Sequence, residues 1–184
     1  MIINNLIIRN IIFVIVFFFI TLQLNATNIA TINLTYIIEK SISYNHFLSE
    51  LGKKQKKIQS ILSEKEKITE KINLNIKESE FILKEEELNL LILDYNEKIQ
   101  NLKKDVNFYN NFFSKNIDIN KSHLFKQIIS YVTELSKELN FDIVLTEDQY
   151  FMSTKNIDLS DKIIIFINKN LIELKLIDES QINQ

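Results

Sequence analysis

Apolar residues recur with a strict 4-3 spacing from Leu88 to Phe113: Leu88, Ile92, Tyr95, Ile99, Leu102, Val106, Tyr109 and Phe113. This spacing keeps one stripe on one side of a helix and predicts the seam of a coiled coil, held without a slip. A less regular stripe precedes it: Phe47, Leu51, Ile58, Ile61, Leu62, Ile68, Ile72 and Ile76, interrupted at Lys65. Together they predict one helix from about Tyr44 to Glu78 and a return helix from about Lys84 to Asn140. The reversal is expected at Glu78–Glu85, where the apolar phase breaks. At ~1.5 Å per residue the return helix would be about 85 Å long. The seam slips at Ser114–Ser122, where Asn, Asp and Ser cluster, so a stutter or kink is expected there. Leu124, Ile128, Tyr131, Leu135 and Leu139 then resume a helical stripe.

Outside the hairpin the pattern shortens. Asn28–Leu34 reads as a strand and Thr35–Ile42 as a short helix or turn. Phe141–Thr146 is a second strand, Glu147-Asp148 a turn, and Gln149–Ser153 a third strand. Ser160 is placed to cap a last helix, Asp161–Asn170, and a polar tail follows from about Glu173. Such strands are too few and short to close a core alone, and each arm helix has one apolar stripe to bury. Both facts favour oligomerisation, with the β elements of several chains completing one body. The candidate body residues are Ile29, Ile32, Leu34, Ile143, Val144, Leu145, Ile163 and Ile164. The expected division is a leader at 1–26, a β-rich body from 27–43 and 141–171, a hairpin arm at 44–140, and a tail at 172–184.

Composition supports long helices: there is one glycine, Gly52, and no proline in 184 residues. Gly52 is a candidate bend near the arm base. Ile11–Ile20 is an unbroken apolar run after Arg9, and Ala26 is a small residue at which a secretory leader could be cleaved. The rival is an uncleaved anchor over Ile2–Leu24. Either places the remainder outside the cytoplasm. Net charge is −2, or −3 once a leader containing only Arg9 is removed, which argues against nucleic acid as the main partner. With no cysteine there is neither a disulfide framework nor a thiol nucleophile.

Catalytic chemistry finds little purchase. His46 and His123 are far apart in sequence, and no phosphate-binding glycine loop exists. Adjacent residues on a helix point in different directions, so Glu85, Glu86 and Glu87 cannot converge on one metal ion. No catalytic, cofactor or metal residue is therefore assigned. Charge along the arm is polarised: +4 over Lys53–Lys71 and −6 over Glu78–Glu97. A solvated face with ion pairs inside the hairpin explains this, as does attraction of a charged client or of anionic headgroups at a membrane surface. Phe108 and Phe112 lie off the seam at i, i+4 spacing. They are candidates for packing or for contact with unfolded chains.

Three segments resemble the Skp (OmpH) family of periplasmic chaperones. Ile29–Leu34 followed by Tyr36-Ile37-Ile38 is similar to the family's opening strand and helix. The long charged hairpin follows. Phe141–Leu145, Gln149-Tyr150-Phe151 and Ile157–Ser160 are similar to its closing strand, hairpin and last helix. The resemblance implies an α+β, mostly helical fold, with a coiled-coil hairpin (a tentacle) on a small β-sheet trimerisation body. It further implies a homotrimer whose arms enclose a cavity. Such a trimer would act without ATP or cofactor as a periplasmic holdase, keeping unfolded outer-membrane β-barrel proteins from aggregating. Type cases have strongly basic arms; here the distal arm is acidic, so no lipopolysaccharide site is carried over. The competing expectation is a membrane-anchored coiled-coil scaffold of the cell envelope.

Overall fold

The structure is a computed structural model and describes residues 27–181. The leader expected at 1–26 lies outside them. The elements run β1 (Ile29–Ile32), α1 (Leu34–Glu39), α2 (Ile42–Ser79), α3 (Glu85–Leu139), β2 (Ile143–Thr146) and α4 (Ser160–Lys169), with a terminal 3-10 turn at Glu179–Gln181. Helices α2 and α3 form the antiparallel hairpin, so the fold is the expected α+β one, mostly helical. The reversal is the five-residue stretch Glu80–Lys84. Glu85, Glu86 and Glu87 occupy the first turn of α3, where acidic groups suit the positive end of the helix dipole. The Glu87 carboxylate also accepts the Lys84 N–H at 3.4 Å. These three acids therefore start a helix.

Strands β1 and β2 are parallel, in register Ile29↔Ile143 through Ile32↔Thr146. A parallel pair needs a long crossover, and here α1 and the whole arm supply it. The chain turns into β2 at Asn140, whose φ of 56° is left-handed. Asparagine tolerates that conformation, and the Phe141 N–H bonds back to the Ser136 carbonyl at 2.9 Å. The core lies where the body meets the arm base: Ala30, Ile32, Ile37, Tyr44, Phe47, Leu51, Leu124, Ile128, Leu135, Leu159, Ile163 and Ile167 are buried together. Helix α4 docks on α3 with the Phe166 and Tyr131 rings stacked 3.5 Å apart.

Four expectations need correction. Gln149–Ser153 is not a strand. The second edge of β1 is taken by residues 157–159: Thr31 N–H donates to the Ile157 carbonyl at 2.8 Å, and Leu159 N–H to the Thr31 carbonyl at 2.9 Å. Ser160 is the first residue of α4 rather than its cap. The Asp158 carboxylate accepts its N–H at 2.9 Å, while the Ser160 hydroxyl accepts the Asn33 N–H at 2.8 Å. Helix α3 runs unbroken through Ser114–Ser122. Its Asn116 and Asn120 amides satisfy themselves on carbonyls four residues back, at 2.8 and 2.9 Å, so polarity here does not interrupt the ladder. Finally, α2 passes through Gly52 unbroken, with open space where a Cβ would sit.

Candidate functional site

The arm divides into a packed base and a thinly packed distal half. Buried side chains on α2 end at Thr69, and those on α3 begin at Phe112. Between them every seam residue from Leu88 to Tyr109 is at most half-buried, and Ile92 is exposed. Lys65, which interrupts the α2 stripe, reaches across the hairpin to Asp105 at 2.5 Å. The distal half thus holds together through a shallow stripe and surface pairing, while leaving large apolar groups outside. Phe81 and Ile82 at the turn are 92% and 82% exposed, and Leu90 and Leu93 are each 64% exposed. Sequence reasoning passed over Leu90 and Leu93. The signal was present: they are leucines at off-seam positions of an otherwise charged helix.

The aromatic expectation splits. Phe108 is half-buried beside Tyr109, edge-on at 5.2 Å. Phe112 is 1% exposed, edge-on to Phe113 and covered by the Lys54 ammonium 5.9 Å from its ring centre. Phe112 therefore belongs to the arm base and is not a surface residue for client contact. Each residue along a helix rotates the side-chain direction by about 100°. A position one off the seam can thus still face the hairpin interior when a third element closes over it.

That third element is the segment expected as a polar tail. Residues 171–178 run extended along the groove between α2 and α3, with Leu174 buried and Ile172 and Leu176 packed on the core. Anchor points follow in order. Gln127 Nε2 donates to the Asn170 carbonyl at 3.1 Å, Asn120 Nδ2 to the Lys175 carbonyl at 3.0 Å, and the Ile177 N–H donates to Asn116 Oδ1 at 2.9 Å. Lys54 then pairs with Glu179 at 2.5 Å. The strap therefore climbs the arm antiparallel to α3. Asp178 accepts from the Ser180 hydroxyl at 2.6 Å and N–H at 2.8 Å, and these bonds lower its pKa against a weak burial penalty. Asn116 and Asn120, which looked like a kink signal, are the buried polar floor of this groove. Their i, i+4 spacing was visible in the sequence; the partner segment was not.

The body presents the other feature. Ala30, Ile32 and Val144 face the core, while Ile29 and Ile143, paired in register, are 40% and 44% exposed on the opposite sheet face. Leu145 shares that face, and Phe151 and Met152 protrude from the following loop. Of the candidate body residues, Ile32 and Ile163 are buried within the single chain, and Leu34, Val144 and Ile164 pack against its core. Ile29, Ile143 and Leu145 stay outside that core. Among the described residues no group of His, Cys, Asp or Glu is arranged to hold a metal ion. No helix among them is long and apolar enough to cross a membrane.

Comparison with known proteins adds a family and a fold. The family model described as "Outer membrane protein (OmpH-like)" matches residues 28–165. A crystal structure from Caulobacter crescentus CB15, described as a candidate outer membrane chaperone (OmpH-like), is similar in fold with a TM-score of 0.72 at 7% identity. The match covers 83% of this chain and 90% of that one. No curated protein sequence matches the chain significantly.

Proposed function

The chain belongs to the OmpH-like family of outer membrane proteins, and from that membership we propose that it is an ATP-independent periplasmic holdase. It would bind unfolded outer-membrane β-barrel proteins between helical arms and keep them from aggregating on the way to the outer membrane. One observation carries the reading. Phe81, Ile82, Leu90 and Leu93 stand out from a charged, thinly packed distal arm. Each such side chain, on partial burial, contributes at most a few kcal/mol, so together they offer an unfolded chain several weak footholds and none strong enough to trap it. A barrel strand, with apolar residues at alternate positions, is a client suited to such footholds.

In this reading the leader at 1–26 is removed near Ala26 and the remainder works in the periplasm as a homotrimer. The sheet face at Ile29, Ile143 and Leu145 is covered by neighbouring copies, which turns three two-stranded sheets into one body. The outer edge of β2 makes no ladder with another strand among the described residues, so it is available to pair across the interface.

The test is native mass spectrometry of residues 27–184, alone and after dilution with a urea-unfolded barrel protein, beside a light-scattering aggregation assay. A trimer that gains one client and suppresses scattering is expected. Replacing Phe81, Ile82, Leu90 and Leu93 together by Ser should preserve the trimer and its melting temperature and abolish suppression. Full suppression by that variant would refute the arm as the client surface.

A further inference from the structure

We infer that the groove between α2 and α3 at the arm base is a binding site for an extended peptide with apolar residues at alternate positions. In the free protein this chain's own residues 171–178 occupy that site. The inference rests on the holdase reading and names a second, more selective place at which a client strand is held.

The geometry of the occupant argues for it. Ile172, Leu174 and Leu176 point to the core at every second position, while Glu173 and Lys175 lie outside and pair with each other at 2.7 Å. That period of two is the pattern of an extended strand. It is also the pattern of a barrel strand, whose lipid-facing residues alternate with lumen-facing ones.

The floor of the groove reads the occupant's main chain. Asn120 donates to the Lys175 carbonyl and Asn116 accepts the Ile177 N–H, so both contacts go to backbone atoms. Both asparagines are buried, and each Nδ2 also donates to a carbonyl within α3. Asn120 Nδ2 and Asn116 Oδ1 are thus held at fixed places, one donor and one acceptor. Any extended peptide presents the complementary carbonyl and N–H, whatever its side chains. A further acceptor, Gln127 Oε1, is buried with no partner among the described residues, where an additional backbone N–H would be favourable. Main-chain bonds would give affinity and the alternating apolar pockets selectivity, as when a peptide adds to a sheet edge.

The segment that occupies the groove lies outside the part of the chain that matches the family model, which ends at residue 165. Being tethered, it competes at an effective concentration on the order of millimolar. Only a client that also holds the arms would displace it. Binding at the groove would therefore follow capture by the arms.

Fluorescence anisotropy with a labelled peptide of residues 170–181 tests the site on the full exported chain. Leu174→Asp combined with Leu176→Asp should release the strap, so this variant should bind the peptide at least about tenfold more tightly than the unaltered chain. Adding Asn116→Ala and Asn120→Ala should remove that gain. Equal binding by the unaltered and released chains, or an unchanged gain without the asparagines, would overturn the inference. Hydrogen exchange at the Ile177 amide provides the same test without mutation, should the released variant lose helicity. Protection should fall when an unfolded barrel protein is added in excess, and unchanged protection would overturn the site. Aggregation suppression is measured in parallel on the unaltered chain. Suppression without groove binding removes only this site, whereas no suppression removes the holdase reading itself.

Discussion

Replacing Glu147 by Gln probes how the body is locked, because one carboxylate closes the start of α1. Its Oε2 accepts the Leu34 N–H at 2.7 Å, and its Oε1 accepts the Thr35 N–H at 2.8 Å and the Thr35 hydroxyl at 2.7 Å. Partial burial works against the charge. The bonds from the Thr35 hydroxyl and N–H, from its own amide and from Leu34 outweigh it and bring the pKa from 4.5 down to about 2. An unscreened drop of that size would correspond to about 3 kcal/mol. The group is partly open to solvent, so ~1–2 kcal/mol is the expected contribution. Because the folded pKa is depressed, this stability is fully present above about pH 4.5 and is lost as the pH falls toward 2. Gln keeps one acceptor oxygen and the shape but loses the charge. Circular dichroism melts at fixed protein concentration should show E147Q about 3–6 °C below the unaltered protein at pH 7. The gap should narrow steadily between pH 5 and pH 3. A gap that stays constant over that range would show that charge at Glu147 does not fasten α1, and no gap at pH 7 would refute the clamp altogether.

Other substitutions separate base, body and arm. Gly52→Ala meets open space in an unbroken helix and should stabilise by about 0.5–1 kcal/mol, read as a higher denaturant midpoint; a destabilised variant would mean that the position is strained. Phe112→Ala should cost ~3–5 kcal/mol by cavity formation, and a cost below 1 kcal/mol in denaturant titration would contradict its place in the arm base. Ile143→Asp charges an exposed residue on the open sheet face, so it should dissociate the proposed trimer in analytical ultracentrifugation while sparing monomer helicity. An intact oligomer would locate the interface elsewhere.

The sequence made the arm legible because helical periodicity governs it: the seam follows from the 4-3 spacing, and the reversal from the break in apolar phase between Ile76 and Leu88. It was less informative wherever a residue's role depends on a distant partner. Asn116 and Asn120 carry the local signature of an irregularity, yet they meet residues 175 and 177, more than fifty positions away. The run Leu171–Ile177 is interspersed with charge and reads as a tail until a groove exists to receive alternate residues. Gln149–Ser153 has strand composition, but a strand needs an open edge to pair with, and residues 157–159 hold that edge of β1. Phe112 shows the same dependence: its burial needs the strap side of the hairpin as well as the seam.

The contrast between base and distal arm has a dynamic consequence that bears on gripping. Amides are protected according to the free energy of the opening that exposes them, and that energy follows buried apolar contact. The base buries Phe47, Leu51, Phe112, Leu124 and Ile128 and is cross-braced by the strap, whereas residues 70–111 bury no side chain fully. Helical hydrogen bonds alone do little to hold such a stretch, since isolated helices are marginal in water. Amides of Ile72–Tyr109 should therefore exchange through local openings at least about tenfold faster than those of Leu124–Leu135, equivalent to a difference of ~1.4 kcal/mol or more. In the proposed holdase, a compliant distal arm on a rigid base would adapt to clients of different size without disturbing the body. If exchange proved uniform along α3, the arm would open only by global unfolding, and the proposed holdase would have to grip its clients with rigid arms.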